Sequence, residues 1–171
     1  MIIGITGSSS VLGFALKETF KNFKVVNFTG DICKKKDINS WLGENNLNAI
    51  IHLAAIVPIE KVNKNRYKAK KINFYGTKNL VDCVKKTFKN SKIWFFYAST
   101  SHIYKFSKKK INEKFKPNPI SFYGKTKLMS ENYIKKNEKN INYCIGRIFS
   151  FTSIKQKKSF LVPGLVKKLK D

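Results

Sequence analysis

The chain alternates short apolar runs with stretches of helical spacing. Ile2–Thr6 is an apolar run that ends in the turn Gly7-Ser8-Ser9-Ser10. In the following Val11–Phe20, Leu12, Ala15, Leu16 and Thr19–Phe20 recur at the spacing of one helix face. Val25–Phe28 reads as a second strand, stopped by Thr29-Gly30-Asp31. Asp37–Trp41 opens a short helix, with Asp37 as its expected cap. Ala49–Leu53 and Ile93–Ala98 are continuous apolar runs, as strands buried on both faces should be. Tyr67–Phe88 and Ser121–Lys136 read as helices, Tyr143–Ile148 as a strand and Phe160–Leu169 as a final amphipathic helix. Lys105–Asn118 is polar, carries Pro117 and is followed by Pro119, so it reads as a loop. Strands alternating with helices predict an α/β protein with a parallel sheet and helices on both faces.

Composition narrows the classes. At 171 residues, 42% hydrophobic and 13% aromatic, the chain can bury one core, which excludes disorder and favours one domain. No apolar run reaches the roughly 18 residues of a membrane span, and Met1–Gly7 lacks the features of a secretion signal. Cys33, Cys83 and Cys144 are far apart and odd in number, which fits reduced thiols in a cytoplasmic protein with no metal site. The formal charge of +25 is almost wholly lysine: of 35 basic residues, Arg66 and Arg147 alone are arginine. With 19 Ile and 17 Asn beside them, these are the residues of AT-rich codons. A nucleic-acid reader would favour Arg for bidentate contacts. A solvated lysine surface is therefore favoured over a specific nucleic-acid site, with weak attraction to polyanions expected.

Two motifs carry chemistry. Thr6-Gly7-Ser8-Ser9-Ser10-Val11-Leu12-Gly13 follows the first strand and opens the first helix. Gly7 permits a tight turn, Gly13 permits close packing of helix on strand, and the N–H groups of the helix start suit a pyrophosphate. The second is Tyr-x-x-x-Lys, which places both residues on one helix face. Seven Tyr and 33 Lys give about 1.4 such pairs by chance, so context must choose among Tyr67/Lys71, Tyr104/Lys108 and Tyr123/Lys127. Tyr123/Lys127 lies near a helix start, downstream of a strand that ends in Ser99-Thr100-Ser101 at the ligand-binding edge of the sheet. An ammonium beside that phenol would lower its pKa toward working pH.

With these motifs stand Gly30-Asp31-Ile32, Ala49–Ala55, Ile72–Thr77, Ala98–Tyr104 and Gly146-Arg147-Ile148-Phe149. In this order they resemble the extended short-chain dehydrogenase/reductase family, in its nucleotide-sugar epimerase, dehydratase and reductase group. The resemblance runs from residue 1 to about 165. It implies a Rossmann-type doubly wound sheet, NAD or NADP as cofactor and a nucleotide sugar as substrate. Gly7, Ser10, Val11, Leu12 and Gly13 would hold the pyrophosphate; Asp31 and Ile32 would contact the adenine. Leu53, Ala54 and Ala55 would line the cofactor wall, with Asn73 supporting it. Tyr123 would be the acid–base residue, Lys127 would hold the nicotinamide ribose and depress the tyrosine pKa, and Thr100 would be the third catalytic group. His52 reads better as a satisfied core histidine. The family commonly dimerises through helices that here hold Tyr67–Phe88 and Ser121–Lys136.

Three departures matter. Ser10 replaces the central glycine of the family turn. No carboxylate ends the second strand at Asn27-Phe28-Thr29, and Lys34–Lys36 could suit a 2′-phosphate or be plain surface, so NAD and NADP stay open. The family is nearly twice as long, which implies that 1–171 is a cofactor domain with little of the substrate domain. Dehydratases of the family place an Asp-Glu pair after the catalytic Thr; Ser101 and His102 stand here. That disfavours dehydration and leaves epimerase or reductase, with Lys24–Ile32 like the dTDP-4-dehydrorhamnose reductase branch and Ala54–Pro58 like the epimerases. The alternative readings are a cofactor-binding relative without turnover and, behind it, a polyanion-binding protein.

Overall fold

The computed structural model describes residues 1–57, 59–89, 93–153, 155–156, 158 and 160–169, so Pro58 of the epimerase-like segment lies outside them. Among the described residues, five strands form one parallel sheet: β1 (Ile2–Thr6), β2 (Lys24–Phe28), β3 (Ala49–His52), β4 (Trp94–Thr100) and β5 (Asn142–Ile148). Their order is β2-β1-β3-β4-β5. The chain runs outward from β1 to β2, then returns to the other side of β1 and continues through β3 and β4 to β5. The topological switch therefore falls between β1 and β3, where open α/β sheets bind ligands outside the carboxyl ends of the strands. Thr6 pairs in register with both Phe28 and His52, and His52 with Tyr97, so these strand ends share one edge.

Helices cover both faces. On one side α2 (Lys35–Glu44), α5 (Thr77–Thr87) and α6 (Phe122–Lys135) bury Ile38, Trp41, Leu80, Val84 and Ile134 with Ile50, Phe95 and Tyr97 of the sheet. Each such side chain contributes about 1.5–3 kcal/mol by leaving water. On the other side α1 (Val11–Thr19) sets Leu12 and Leu16 against Ile3, Ile5 and Leu53. Short α3 (Ile59–Lys64) and α4 (Arg66–Lys70) precede α5, and α7 (Leu161–Lys168) follows β5. The segment 105–118 forms no helix or strand, as its composition predicts.

Two expectations need correction. Asp37 does not cap α2: Lys34 holds that position, and Asp37 lies in the first turn, where its Oδ2 accepts the Asp31 N–H at 2.8 Å. The expected helix Tyr67–Phe88 is not uniform. Between α4 and α5, Lys71–Gly76 is a π-helix, whose wider turn is common at functional sites. The terminal α7 forms as its amphipathic spacing predicts, although none of its residues is buried.

Candidate functional site

The β1–α1 turn is built for close approach of bare backbone. Gly7 has φ of +71°, a conformation that side chains disfavour. A Cβ there would stand 2.6 Å from the Ala54 nitrogen, so the turn rests directly on the segment that leaves β3. A Cβ on Gly13 would stand 2.7 Å from the Ser8 Cα. Ser10 turns its hydroxyl back into the helix as the N-cap, accepting the Gly13 N–H at 3.0 Å. Phe14 N–H is bonded to the Ser10 carbonyl at 2.8 Å. The N–H groups of Val11 and Leu12, at the positive end of the helix dipole, remain for an outside anion. The turn thus fits a pyrophosphate. Its serine has taken one of the helix-start donors, which a glycine in that position would leave free.

A chain of buried hydrogen bonds fixes the opposite wall. Ala54 N–H donates to Thr6 Oγ1 at 3.3 Å, and that hydroxyl lies 2.6 Å from His52 Nδ1. His52 Nε2 lies 2.9 Å from Thr77 Oγ1, which itself donates to the Asn73 carbonyl at 2.8 Å. This assigns the proton to Nε2 and makes Thr6 the donor to Nδ1. Burial and the Lys127 charge lower the His52 pKa to about 3, so the ring is neutral, as expected of a core histidine. Asn73, buried in the π-helix, accepts the Ile56 N–H at 2.7 Å and donates to the Ile56 carbonyl at 3.0 Å. It therefore holds the segment after Leu53, Ala54 and Ala55 by both backbone groups.

At the adenine edge expected from the sequence, Asp31 is exposed, and its Oδ1 accepts the Cys33 N–H at 2.9 Å. Ile32 is turned inward. Its side chain joins the core and fills the space over Gly76, where a Cβ would stand 2.7 Å away. The Ile32 side chain is thus committed to packing.

Thr100, Tyr123 and Lys127 converge, all three buried, where β4 meets the start of α6. Ser121 caps α6 by accepting the Gly124 N–H at 3.0 Å. Gly124 lets the helix touch the 3₁₀ turn Ser101–Ile103: a Cβ there would lie 2.1 Å from the His102 carbonyl oxygen. Thr100 Oγ1 accepts the His102 N–H at 3.2 Å. It also faces the Tyr123 phenol and favours its ionisation, although their geometry falls short of a full hydrogen bond. Burial is the larger influence, so the Tyr123 pKa is raised, not depressed as the motif alone suggests. The reason is the lysine's position. Lys127 Nζ stands 4.1 Å from the centre of the Tyr97 ring, and burial lowers its pKa to about 7 while the Glu131 charge opposes the fall.

Sequence reasoning missed Glu131 and Tyr97. Glu131 is fully buried, accepts the Ser99 hydroxyl and pairs with Arg147 Nη2 at 2.8 Å. Arg147 Nη1 in turn donates to the Tyr104 hydroxyl at 2.5 Å. The signal available for Glu131 was its place four residues after Lys127, an acid on the buried face of α6.

The family model of GDP-mannose 4,6 dehydratase matches residues 10–170. No match is found among curated proteins. Among solved structures, RMD from Pseudomonas aeruginosa complexed with NADPH is 20% identical, with a TM-score of 0.87 over 98% of this chain and 60% of that one. A dTDP-4-dehydrorhamnose reductase from Clostridium acetobutylicum is 29% identical, with a TM-score of 0.74 over 85% of this chain and 52% of that one. MoeE5 in complex with UDP-glucuronic acid and NAD is 18% identical, with a TM-score of 0.86 over 98% and 60%. The chain thus spans 52–60% of the length of these structures. Fold, turn and motif order agree with the match over nearly the whole sequence, and the chain belongs to the GDP-mannose 4,6 dehydratase family.

Proposed function

We propose that residues 1–171 form the cofactor-binding and acid–base part of an NAD- or NADP-dependent epimerase or reductase acting on a nucleotide-activated sugar. The observation that carries this reading is the convergence of Thr100, Tyr123 and Lys127 at the sheet edge. The Gly7–Gly13 turn and the three structures named above, with their NADPH, NAD and nucleotide sugar, support it. Val11 and Leu12 N–H groups would meet the pyrophosphate. Asp31 and the Ile32 backbone would face the adenine, and Leu53–Ala55, held by Asn73, would form the wall.

The nicotinamide, when bound, would supply or accept the hydride. Tyr123 would pass a proton to or from the sugar oxygen, and Thr100 would hydrogen-bond the same oxygen. Lys127 would hold the nicotinamide ribose and, drawn toward it, oppose the effect of burial on Tyr123. Elimination of water is not proposed. Ser101 and His102 offer no carboxylic acid after Thr100, and buried Glu131 is committed to Arg147 and Ser99. A second reading, cofactor binding without turnover, is favoured by the raised Tyr123 pKa and by the Ser10 cap. Self-association through the helices within 67–88 and 121–136 belongs to the proposal and is read by sedimentation equilibrium.

Calorimetric titration with NADPH and NADH tests the reading. Saturable binding of either, abolished by Gly13→Val, is expected; no heat and no thermal shift at millimolar concentration of either would overturn it. Assay against nucleotide sugars then separates the enzyme from the binding module.

A further inference from the structure

Lys127 is 2% exposed, yet among the described residues it forms no ion pair. The nearby carboxylate of Glu131 is bonded to Arg147 and Lys135 instead. What the lysine meets is the face of Tyr97, on β4 and fully buried, with Nζ 4.1 Å from the ring centre. The Tyr97 hydroxyl does not account for that residue. It faces the hydroxyls of Thr77 and Ser130, whose protons go to the Asn73 carbonyl at 2.8 Å and whose oxygens stand ready to accept from it, but it makes no full hydrogen bond to either. A buried hydroxyl without a partner costs stability, and phenylalanine would fill the same space without that cost. The ring face is the part of Tyr97 with a visible task.

We infer that Tyr97 is a positioning residue of the site, its ring face seating the Lys127 amine one helical turn along α6 from Tyr123 and favouring its charged form. The inference rests on the reading of Lys127 as the cofactor-side cation. An aromatic face attracts a desolvated cation without neutralising it. A carboxylate partner would hold the ammonium in an ion pair, which the ribose hydroxyls would have to break. The ring engages one side of the ammonium and leaves the N–H donors of the other side for them. The other titratable groups around Lys127 are Glu131 and Tyr123 of α6 and His52 of β3. Glu131 favours the charged lysine. His52 is neutral above its pKa of about 3, and Tyr123, raised by burial, is neutral at working pH. Tyr97 is likewise held neutral by burial.

The test uses the full chain with ¹³C-labelled lysine, the Lys127 signal being assigned by its loss in Lys127→Met. In wild type and in Tyr97→Phe, the ε-methylene protons of Lys127 should be displaced upfield by the ring. Their titration midpoint should be the same in both. In Tyr97→Leu the displacement should vanish and the midpoint fall by about one pH unit, the tenfold change that losing a desolvated cation–π contact brings. NADPH affinity at pH 7.5 should then drop about tenfold in Tyr97→Leu but not in Tyr97→Phe, and most of the loss should return at pH 6. Mere loosening of the core would not be repaired by acid. An undisplaced Lys127 signal in wild type overturns the inference even if Tyr97→Leu fails to fold. So does an unchanged midpoint in Tyr97→Leu. A wild-type protein that shows the displaced lysine yet binds neither NADPH nor NADH overturns the site reading instead.

Discussion

The environment of Tyr123 decides how it can work. A phenol raised by burial would need a neighbouring cation to give up its proton near neutrality, since the Thr100 contact is outweighed by burial. If Tyr123 is the proton-transfer group, Tyr123→Phe should leave cofactor affinity within about twofold of wild type and lower kcat by roughly 10²–10⁴. Equal loss of affinity and turnover, or full turnover, would remove it from that role. The spacing of Tyr123 and Lys127 was legible because both lie on one helix. The Tyr97 contact was not legible, because it joins residues 30 positions apart across a strand–helix interface that hydropathy does not encode. For the same reason the burial of Glu131 appears only once Arg147 on β5 stands opposite α6.

At the level of elements, the strands and their order of appearance were readable from apolar runs, and the parallel sheet from alternation with helices. Three features escaped. The π-helix Lys71–Gly76 adds one residue to a turn without disturbing the helical pattern of apolar positions, so periodicity cannot find it. The start of α2 was misread because Asp37 suits a cap by residue type, whereas its carboxylate is used across the Gly30–Asp31 turn. The contact of α6 with the 3₁₀ turn was also hidden, although it sets where Tyr123 stands relative to Thr100. Gly124→Ala would force a Cβ against the His102 carbonyl. We expect a loss of about 1–3 kcal/mol, read from the urea midpoint, and a fall in turnover larger than any fall in cofactor affinity. An alanine variant as stable and active as wild type would show that this contact yields freely.

For the whole molecule, charge and burial act together. The net charge of +25 is spread along the chain, so binding to DNA or RNA should be weak, indifferent to sequence and lost by moderate salt. Tight, selective binding at physiological salt would restore the polyanion reading. The same surplus of protons governs stability. His52 has a folded pKa of about 3 against 6.5 unfolded, so between those values the unfolded chain binds more protons. Its contribution is present above pH 6.5 and is lost by about 1.4 kcal/mol for each pH unit below it. Lys127 has a folded pKa of about 7 against 10.5 unfolded, so its sign is the same in a higher window. Stability should rise again from pH 7 upward as the buried amine loses its proton more readily than an unfolded one. The melting temperature should therefore climb by about 4 °C from pH 5.5 to 7 and by about 7 °C from pH 7 to 9. Relief of surface-lysine repulsion adds only to the upper rise, near pH 9 and above, where those amines begin to lose protons. Lys127→Met separates the contributions: it should flatten the upper rise relative to wild type and leave most of the lower one, where burial outweighs the Lys127 charge in lowering the His52 pKa. A melting temperature that falls between pH 7 and 9, or an upper rise equally steep in Lys127→Met, would mean that the buried lysine is not what couples this fold to pH.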